Sequence, residues 1–220
     1  MLGLEVEFGG SRIELLPQRT AYLPAHRMLL VADAHIGKAV SYRRWGVPVP
    51  EATTGDTLER LSAVLAATGA TQLVFLGDLL HSARGRAPAT LAAFARWRES
   101  HAGLRLTLVR GNHDAHAGDP PPGWQVECVD EPLHVDGLAL AHHAVPVAGA
   151  YVLAGHLHPC VVLGGRAHDR LRLPCFHFGP RVGVLPAFGA FTGMHAVRQA
   201  RGDRVFVTTG DAVRPLNSWE

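Results

Sequence analysis

The chain has 220 residues, of which 47% are hydrophobic and 18% charged, and its formal net charge at pH 7 is +2. This length favours a single domain over residues 1–220 with one sizeable core. The small net charge excludes a general electrostatic case for nucleic-acid or membrane binding, so any such case must rest on a local group of charges.

The predicted elements alternate between strands and helices in the first half of the chain. In order, they are a hairpin of Leu4–Phe8 and Ile13–Leu16, a strand Met28–Ala32, a helix Thr57–Ala67, a strand Leu73–Leu76, a helix from Pro88 to Trp97 and a strand Leu104–Val109. After Pro120–Pro122 strands dominate, and these are Leu138–Ala141, Tyr151–Ala154, Arg170–Phe178 and Arg204–Thr208. An early βαβ half followed by a strand-rich half predicts a layered α/β sandwich with mixed sheets.

Five of the predicted strands are followed at once by Asp, Asn or His. The endings are Asp33-Ala34-His35, Gly77 to His81, Arg110 to Asp114, His142-His143 and Gly155 to Pro159. Ligands of open α/β sheets bind at the carboxyl ends of the strands, so these endings predict one shared site. The glycines Gly77, Gly111 and Gly155 would let the backbone turn sharply, so that the following side chain faces that site.

The residue types in these endings indicate a metal centre. Imidazoles and carboxylates without thiolates suit Mn²⁺, Fe or Zn²⁺ better than Mg²⁺ alone, and Mn²⁺ is our first choice. Asp33 and His35 would point the same way from an extended segment, and Asp78 could bridge two ions. Two ions clamp the oxygens of an in-line phosphoryl transfer and supply a hydroxide from bound water. Further candidate ligands are Asn112, His156 and His158.

Cysteine usage and the N-terminal sequence indicate a reducing compartment. Cys128, Cys160 and Cys175 lie far apart with no CxxC spacing, which predicts neither a disulfide framework nor a thiolate zinc site. The first ten residues, MLGLEVEFGG, have no apolar run of the signal-peptide type. No window reaches the roughly 18 apolar residues of a spanning helix. We therefore expect a cytoplasmic protein without a membrane partner.

The ordered set D-x-H, G-D-x-x-H, G-N-H-D, H and G-H-x-H resembles the calcineurin-like metallophosphoesterase superfamily. The resemblance implies a four-layer α/β/β/α sandwich of two mixed sheets and two divalent metal ions. It implies that His113 binds no metal, lies over the phosphate and protonates the leaving oxygen. The implied ligands are Asp33, His35, Asp78 and His158 for one ion, and Asp78, Asn112, His142 and His156 for the other.

His81 and several flanking motifs indicate which subgroup of the superfamily the chain resembles. Many members of the superfamily carry Asp at the position of His81, where it orients the catalytic histidine. A histidine there is similar to the double-strand-break repair nucleases of the superfamily. The flanks WGVPVP, GDLLHSARG, GHLHP and LPAFGAFTG resemble the bacterial ligase-associated DNA-damage-response endonucleases of the phosphodiesterase type. This resemblance alone implies a role in DNA repair and DNA-repair proteins as partners.

Three positions keep alternatives open. Either His142 or His143 could be the ligand, and the first residue after the strand is the better candidate. His81 could contact the phosphate directly or support neighbouring site residues. Asp114 could orient His113 as part of the catalytic group, or it could anchor the loop.

Arginines near the motifs are candidate substrate contacts. They are Arg43, Arg44, Arg84 and Arg110. Arginine binds phosphate bidentately, and Trp45 beside them could stack on a base. The alternative is a solvated helix face with Trp45 packed inward. A basic rim would favour a diester or a nucleic acid over a small monoester, with recognition of the backbone rather than of base sequence.

The sequence therefore predicts a two-metal phosphodiesterase, with nuclease activity on DNA as the leading function. A metal-bridging hydroxide would attack phosphorus in line, and His113 would act as the general acid. One alternative is a phosphatase or phosphodiesterase of small nucleotides or phosphoesters. The second is a non-catalytic, metal-binding scaffold of the same fold, which would be expected to lose ligands or the catalytic histidine.

Overall fold

Two mixed β-sheets form the centre of the fold, as the sequence predicts. The structure is a computed structural model and describes residues 3–44, 46–49, 53–164 and 169–216. The first sheet contains β1 (Leu4–Phe8), β2 (Ser11–Leu16), β3 (Thr20–Leu23), β4 (Met28–Ala32), β5 (Gln72–Leu76), β6 (Arg105–Val109) and β7 (Val126–Val129). These strands lie side by side in chain order, antiparallel from β1 to β4 and parallel from β4 to β7.

The second sheet is built from the later half of the chain. Its strands are β8 (Leu133–Val135), β9 (Leu138–Leu140), β10 (Tyr151–Ala154), β11 (Pro159–Gly164), β12 (Arg170–Phe178), β13 (Val182–Val184), β14 (His195–Ala196), β15 (Arg204–Thr208) and β16 (Val213–Leu216). The order is β14-β11-β12-β13-β10-β9-β8, while β15 pairs with β12 and β16 pairs with β15. Strands β9, β10 and β13 run parallel, so their carboxyl ends meet at one edge.

The described α-helices lie in the half of the chain that builds the first sheet. They are α1 (Lys38–Arg44), α2 (Thr53–Thr68), α3 (Pro88–Ser100) and α4 (Asn112–Ala117). Helix α2 begins four residues before the predicted start at Thr57, and its buried stripe of Leu58, Leu61 and Leu65 packs on the sheet. Within the described ranges, no helix has both the length and the apolar character that crossing a membrane requires.

Strand β4 explains how the core positions the site. All five of its residues are buried, because helices cover one face and the second sheet covers the other. Leu29 and Val31 pack with the helices, whereas Met28 and Leu30 pack toward the second sheet. A strand buried on both faces has a continuous apolar sequence. The first polar side chain after β4, Asp33, therefore marks the edge of the apolar core.

Candidate active site

The five predicted strand endings meet in one place, between the carboxyl ends of strands from both sheets. The register pairs Ala32 with Leu76 and Leu76 with Val109, so the residues that follow β4, β5 and β6 start at one level. Strands β9 and β10 deliver their endings from the second sheet to the same place. The side chains brought together are Asp33, His35, Asp78, Asn112, His142, His156 and His158.

One group of these side chains surrounds Asp33. The ligand-type atoms of Asp33, His35 and His158 all lie within 4.8 Å of one another. His158 Nε2 is 3.3 Å from Asp33 Oδ1, and His35 Nε2 is 3.7 Å from Asp78 Oδ2. Asp33, His35 and Asp78 are buried.

A second group surrounds His142. Its Nε2 lies 2.9 Å from Asn112 Oδ1, 3.0 Å from His156 Nδ1 and 3.5 Å from Asp78 Oδ1. Asp78 therefore turns Oδ2 toward the first group and Oδ1 toward the second. A carboxylate placed between two groups in this way has the geometry of a bridging ligand.

His142 lies deeper in the site than His143, although both can place a ring nitrogen within 4.8 Å of one in His156. The His142 side chain is fully buried among the other candidate ligands, whereas His143 Nδ1 lies 2.5 Å from Glu131 Oε1. Glu131 also accepts the backbone N–H groups of His142 at 2.7 Å and of His143 at 2.9 Å. This carboxylate fixes the loop after β9, and nothing in the sequence pattern had singled it out.

Backbone carbonyls fix the ring orientation of three histidines. His142 Nδ1 is 3.0 Å from the Leu76 carbonyl, and His158 Nδ1 is 2.9 Å from the Gly193 carbonyl. His113 Nδ1 contacts a backbone carbonyl in the same way. Because a carbonyl only accepts hydrogen bonds, each Nδ1 carries a proton. Nε2 is then the ring atom that faces the site, where it offers a lone pair in the neutral form and a proton in the charged form. Such contacts are typical of histidines that bind metals.

Two buried atoms indicate that a cation fits this cluster. Within the described residues, Asp33 Oδ1 and His35 Nε2 have no hydrogen-bond partner, although buried polar atoms rarely lack one. Asp33 Oδ1 also lies 3.3 Å from His158 Nε2, a contact that requires positive charge there, either a proton on Nε2 or a metal ion. Imidazole, carboxylate and amide donors without a thiolate are a suitable set for a divalent transition metal.

The backbone conformation of the ligands differs from the prediction. Left-handed φ angles occur at Asp33 (53°), His35 (45°), Asp78 (52°), His156 (67°) and His158 (46°). Asp33 and His35 do face one site, but the expected extended segment is wrong. Non-glycine residues with such angles are uncommon and cluster at functional sites.

The glycines next to these ligands also act differently from the prediction. Gly77 does use a left-handed φ of 77°, but neither Gly111 nor Gly155 has a positive φ. Their role is to leave space, because a Cβ would lie 2.4 Å from Asp78 Oδ1 at Gly111 and 2.7 Å from Asp33 Oδ2 at Gly155. The backbone therefore approaches the ligands too closely for any side chain.

His113 and His81 lie side by side at the rim of the cluster. Their rings stack with centroids 5.0 Å apart, and His113 Nδ1 lies 2.6 Å from the His81 carbonyl. His113 Nε2 is 3.9 Å from Asp78 Oδ2. His81 thus orients His113 through its main chain and ring, and its own Nδ1 is 3.4 Å from His35 Nδ1.

The contacts of Asp114 agree with the alternative in which this residue anchors the loop. Its buried carboxylate accepts the backbone N–H groups of Asp78 at 2.7 Å, Gly111 at 3.0 Å and Leu80 at 3.2 Å. These bonds tie the start of α4 to the loop after β5. The contact that orients the His113 ring comes instead from His81.

The electrostatic environment keeps two of the histidines neutral. Burial, together with the charge of Lys38 and nearby histidines, lowers the pKa of His35 far below its ordinary value. Burial, Lys38 and His113 lower the pKa of His81 to about 4. The pKa of His158 is raised although its burial acts against this, because Asp33 attracts positive charge to that position. Neutral imidazole is the form that binds a metal ion.

The arginines predicted to bind phosphate have partners within the protein or lie outside the described part. Arg110 donates from Nε and Nη2 to the Asp119 carboxylate and from Nη1 to Asp130, at 2.8–2.9 Å. Arg43 donates to the Val49 carbonyl at 3.2 Å. The side chains of Arg44 and Arg84, and the whole of Trp45, lie outside the described residues.

Comparison with solved structures identifies relatives of the chain. The crystal structure of nuclease MPE from Pseudomonas putida is 45% identical, covers 97% of this chain and 100% of that chain, and has a TM-score of 0.86. A phosphoesterase from E. coli, Yfce, is 17% identical over 82% of this chain and 86% of that chain, with a TM-score of 0.42. The similarity to Yfce is too low to support any inference about this chain. No family model and no curated protein matches the sequence.

The high identity over nearly the full length of both chains establishes common family membership. The two mixed sheets and the cluster of histidines and aspartates agree with it. The chain therefore belongs to the metallophosphoesterase superfamily and is a metal-dependent phosphoesterase.

Proposed function

We propose that this phosphoesterase hydrolyses phosphodiesters with two divalent metal ions and that its substrate is a nucleic acid, with DNA as the leading candidate. The observation that carries the proposal is Asp78, whose Oδ2 lies 3.7 Å from His35 Nε2 and whose Oδ1 lies 3.5 Å from His142 Nε2. Two groups of ligand-type atoms thus share one carboxylate. The relative from Pseudomonas putida is a nuclease, which supports a phosphodiester substrate.

The donor set favours Mn²⁺, with Fe or Zn²⁺ as alternatives. When bound, a pair of divalent ions stabilises the negative charge of the phosphoryl group and lowers the pKa of the attacking water. Asp33, His35, Asp78 and His158 would hold one ion, and Asp78, Asn112, His142 and His156 would hold the other.

His113 would supply the proton that the leaving group requires. Its Nδ1–H is engaged by the His81 carbonyl, so Nε2 is the atom available to the substrate. Water forms the new bond to phosphorus and loses a proton as the ester P–O bond breaks, and the departing oxygen takes the proton from His113 Nε2. His81, with its pKa lowered to about 4, is neutral near pH 7 and does not compete as an acid.

His81 and Asp114 would position the groups that react. The His81 ring and carbonyl hold His113, and the Asp114 carboxylate holds the backbone N–H of Asp78. The resemblance of the flanking motifs adds a role in DNA repair and DNA-repair partner proteins to the same proposal. The cysteine usage adds a cytoplasmic location.

Hydrolysis rates on three substrates test this function. An aryl phosphodiester, an aryl phosphomonoester and single-stranded DNA would be compared after EDTA treatment and after addition of Mn²⁺. We expect EDTA to abolish hydrolysis of the diester and DNA, and Mn²⁺ to restore it. Preference for the monoester would indicate a small-phosphoester phosphatase, and a metal-loaded protein without activity would indicate a scaffold. Full activity in EDTA, with metal removal verified by elemental analysis, would contradict the metal mechanism.

A further inference from the structure

Lys38 is the only lysine among the 21 lysines and arginines of the chain. It begins helix α1, and its backbone N–H donates to the His35 carbonyl at 3.1 Å. An ammonium is a compact point charge, whereas a guanidinium is a broad planar fork. In a chain that uses arginine everywhere else, the one lysine stands next to the D-x-H motif.

The Lys38 ammonium has no anion at contact distance among the described residues. The residue is only 9% exposed, yet no described residue accepts a hydrogen bond from its ammonium or lies within ion-pair distance. Nζ lies over the Tyr42 ring, 5.7 Å from the ring centroid. Burial of an ammonium is unfavourable unless an anion compensates it. The described residues place no carboxylate at ion-pair distance from Nζ, and Asp33 and Asp78 act on it only from farther away.

The charge of Lys38 acts on the active site. Asp33 and Asp78 raise the pKa of Lys38 against the larger lowering by burial. In return, Lys38 contributes to lowering the pKa of His35 and His81. The geometry places the ammonium on the same side of the site, because Nζ lies 5.7 Å from the Tyr42 ring centroid and that centroid lies 6.5 Å from the centroid of the His81 ring.

The arginines of the same region differ from Lys38 because the protein already satisfies them. The Arg110 guanidinium is held by Asp119 and Asp130. Arg86 donates from Nη1 to three backbone carbonyls, the shortest bond being 2.7 Å to Asp119. Among the described cations near the site, Lys38 thus combines burial, proximity to the candidate ligands and the lack of a hydrogen-bonding partner.

We propose that Lys38 contacts the phosphoryl group of the substrate, with its ammonium against a non-bridging oxygen on the side of the site formed by His35 and His81. The inference rests on the proposed phosphodiester function, under which the anion that contacts Lys38 is the phosphoryl group of the substrate. Two bound cations would offset the negative charge of Asp33 and Asp78, so an anionic substrate is the group that would compensate the ammonium at contact distance. The alternative role for Lys38 is packing of its aliphatic stem alone.

Binding of inorganic phosphate to the Mn²⁺-loaded protein tests the contact directly. Calorimetry would compare wild type with Lys38→Met, which keeps the length of the apolar stem and removes the charge. We expect phosphate binding to weaken by 10-fold or more and KM for an aryl phosphodiester to rise, while elemental analysis finds unchanged metal content. Arg12→Met, at the exposed Arg12–Glu5 pair of the edge hairpin, removes one positive charge elsewhere and should bind phosphate as wild type does.

Equal phosphate affinity in wild type and Lys38→Met would overturn the inference. If Lys38→Met loses metal or does not fold, acylation of the wild-type protein by an amine-reactive reagent gives the answer, because the chain has one ε-amino group. Peptide mass spectrometry should then show that saturating phosphate slows acylation of Lys38, and an unchanged acylation rate would refute the contact. A wild type that binds phosphate but hydrolyses no phosphodiester would reject the proposed function while leaving the Lys38 comparison intact.

Discussion

Gly111→Ala tests the site by adding one carbon atom beside Asp78. A Cβ at residue 111 would lie 2.4 Å from Asp78 Oδ1 and 2.7 Å from the Asp78 backbone nitrogen. The backbone at Gly111 has φ −103° and ψ 176°, which alanine adopts without strain. The substitution therefore introduces a steric contact and removes no candidate ligand.

The size of the effect follows from the displacement that this contact forces. Ordinary van der Waals contacts of a Cβ begin at 3.4 Å, so the Asp78 carboxylate must move by about 1 Å. A misplacement of about 1 Å can cost about 10²-fold in rate. Overpacking a buried site costs about 1–3 kcal/mol of stability, which a domain of this size tolerates. We expect a folded variant with reduced metal content and at least a 10²-fold lower kcat/KM.

Three measurements on purified protein check this prediction. They are elemental analysis of bound metal, kcat/KM on an aryl phosphodiester and the thermal unfolding midpoint. Gly103→Ala is the matched control, because a Cβ there meets no atom within 4 Å and its φ is not positive. A Gly111→Ala protein with full metal content and wild-type kcat/KM would refute the reasoning about Asp78.

Three further substitutions separate the proposed roles. His113→Ala should retain both metal ions and lose about 10²-fold or more in kcat, as rates and elemental analysis together would reveal. Asp78→Asn should lose bound metal, and full metal content in this variant would contradict the bridging role. The hydrogen bond from Arg110 lowers the pKa of Asp119 below its ordinary value of 3.8. The ionised carboxylate therefore stabilises the fold at pH values above 3.8, and this stabilisation is lost as the pH falls through the pKa of the folded state. Above about pH 4, Asp119→Asn should therefore lower the free energy of unfolding by less than about 1 kcal/mol, since the pair is exposed, and thermal unfolding would show a slightly lower midpoint. In more acidic solution the variant should match wild type.

The long, buried elements were predictable from sequence because their signal is local. The bounds of Met28–Ala32 and Tyr151–Ala154 match the prediction, since each is an apolar run ended by polar residues. Helices α1 and α4 were missed because they have seven and six residues, too few for a 3.6-residue period to be recognised. Helix α4 also starts at Asn112, inside the strand ending Arg110 to Asp114, for which no helix was predicted. Short strands such as β14 exist through pairing with distant segments, here β11, which a local pattern does not contain.

The identities of the candidate ligands were predictable, but their conformations and supports were not. Residue types at strand ends are visible in the sequence, whereas left-handed φ angles at Asp33 and His156 depend on the fold around them. Glu131 and Lys38 were not predicted as site residues. Glu131 matters because it accepts backbone N–H groups in the folded chain, and Lys38 matters because folding buries most of it without a hydrogen-bond acceptor for its ammonium among the described residues. The arginines attracted attention by their number, although Arg110 is occupied by neighbouring carboxylates.

The strained ligand conformations are stabilised by bonds that join the two sheets. A left-handed non-glycine residue costs about 1–3 kcal/mol, and several such residues persist only where surrounding structure over-determines them. Asp33 Oδ2 accepts the His156 N–H at 2.9 Å, and the Asp33 carbonyl accepts the Gly189 N–H at 3.0 Å. The His35 N–H donates to the Asp78 carbonyl at 2.8 Å. The first bond connects the end of β4 to the loop after β10, the second connects it to the segment after β13, and the third connects it to the end of β5. The ligand positions are therefore a property of the stacked sheets, and the site is preorganised by the fold for a cation.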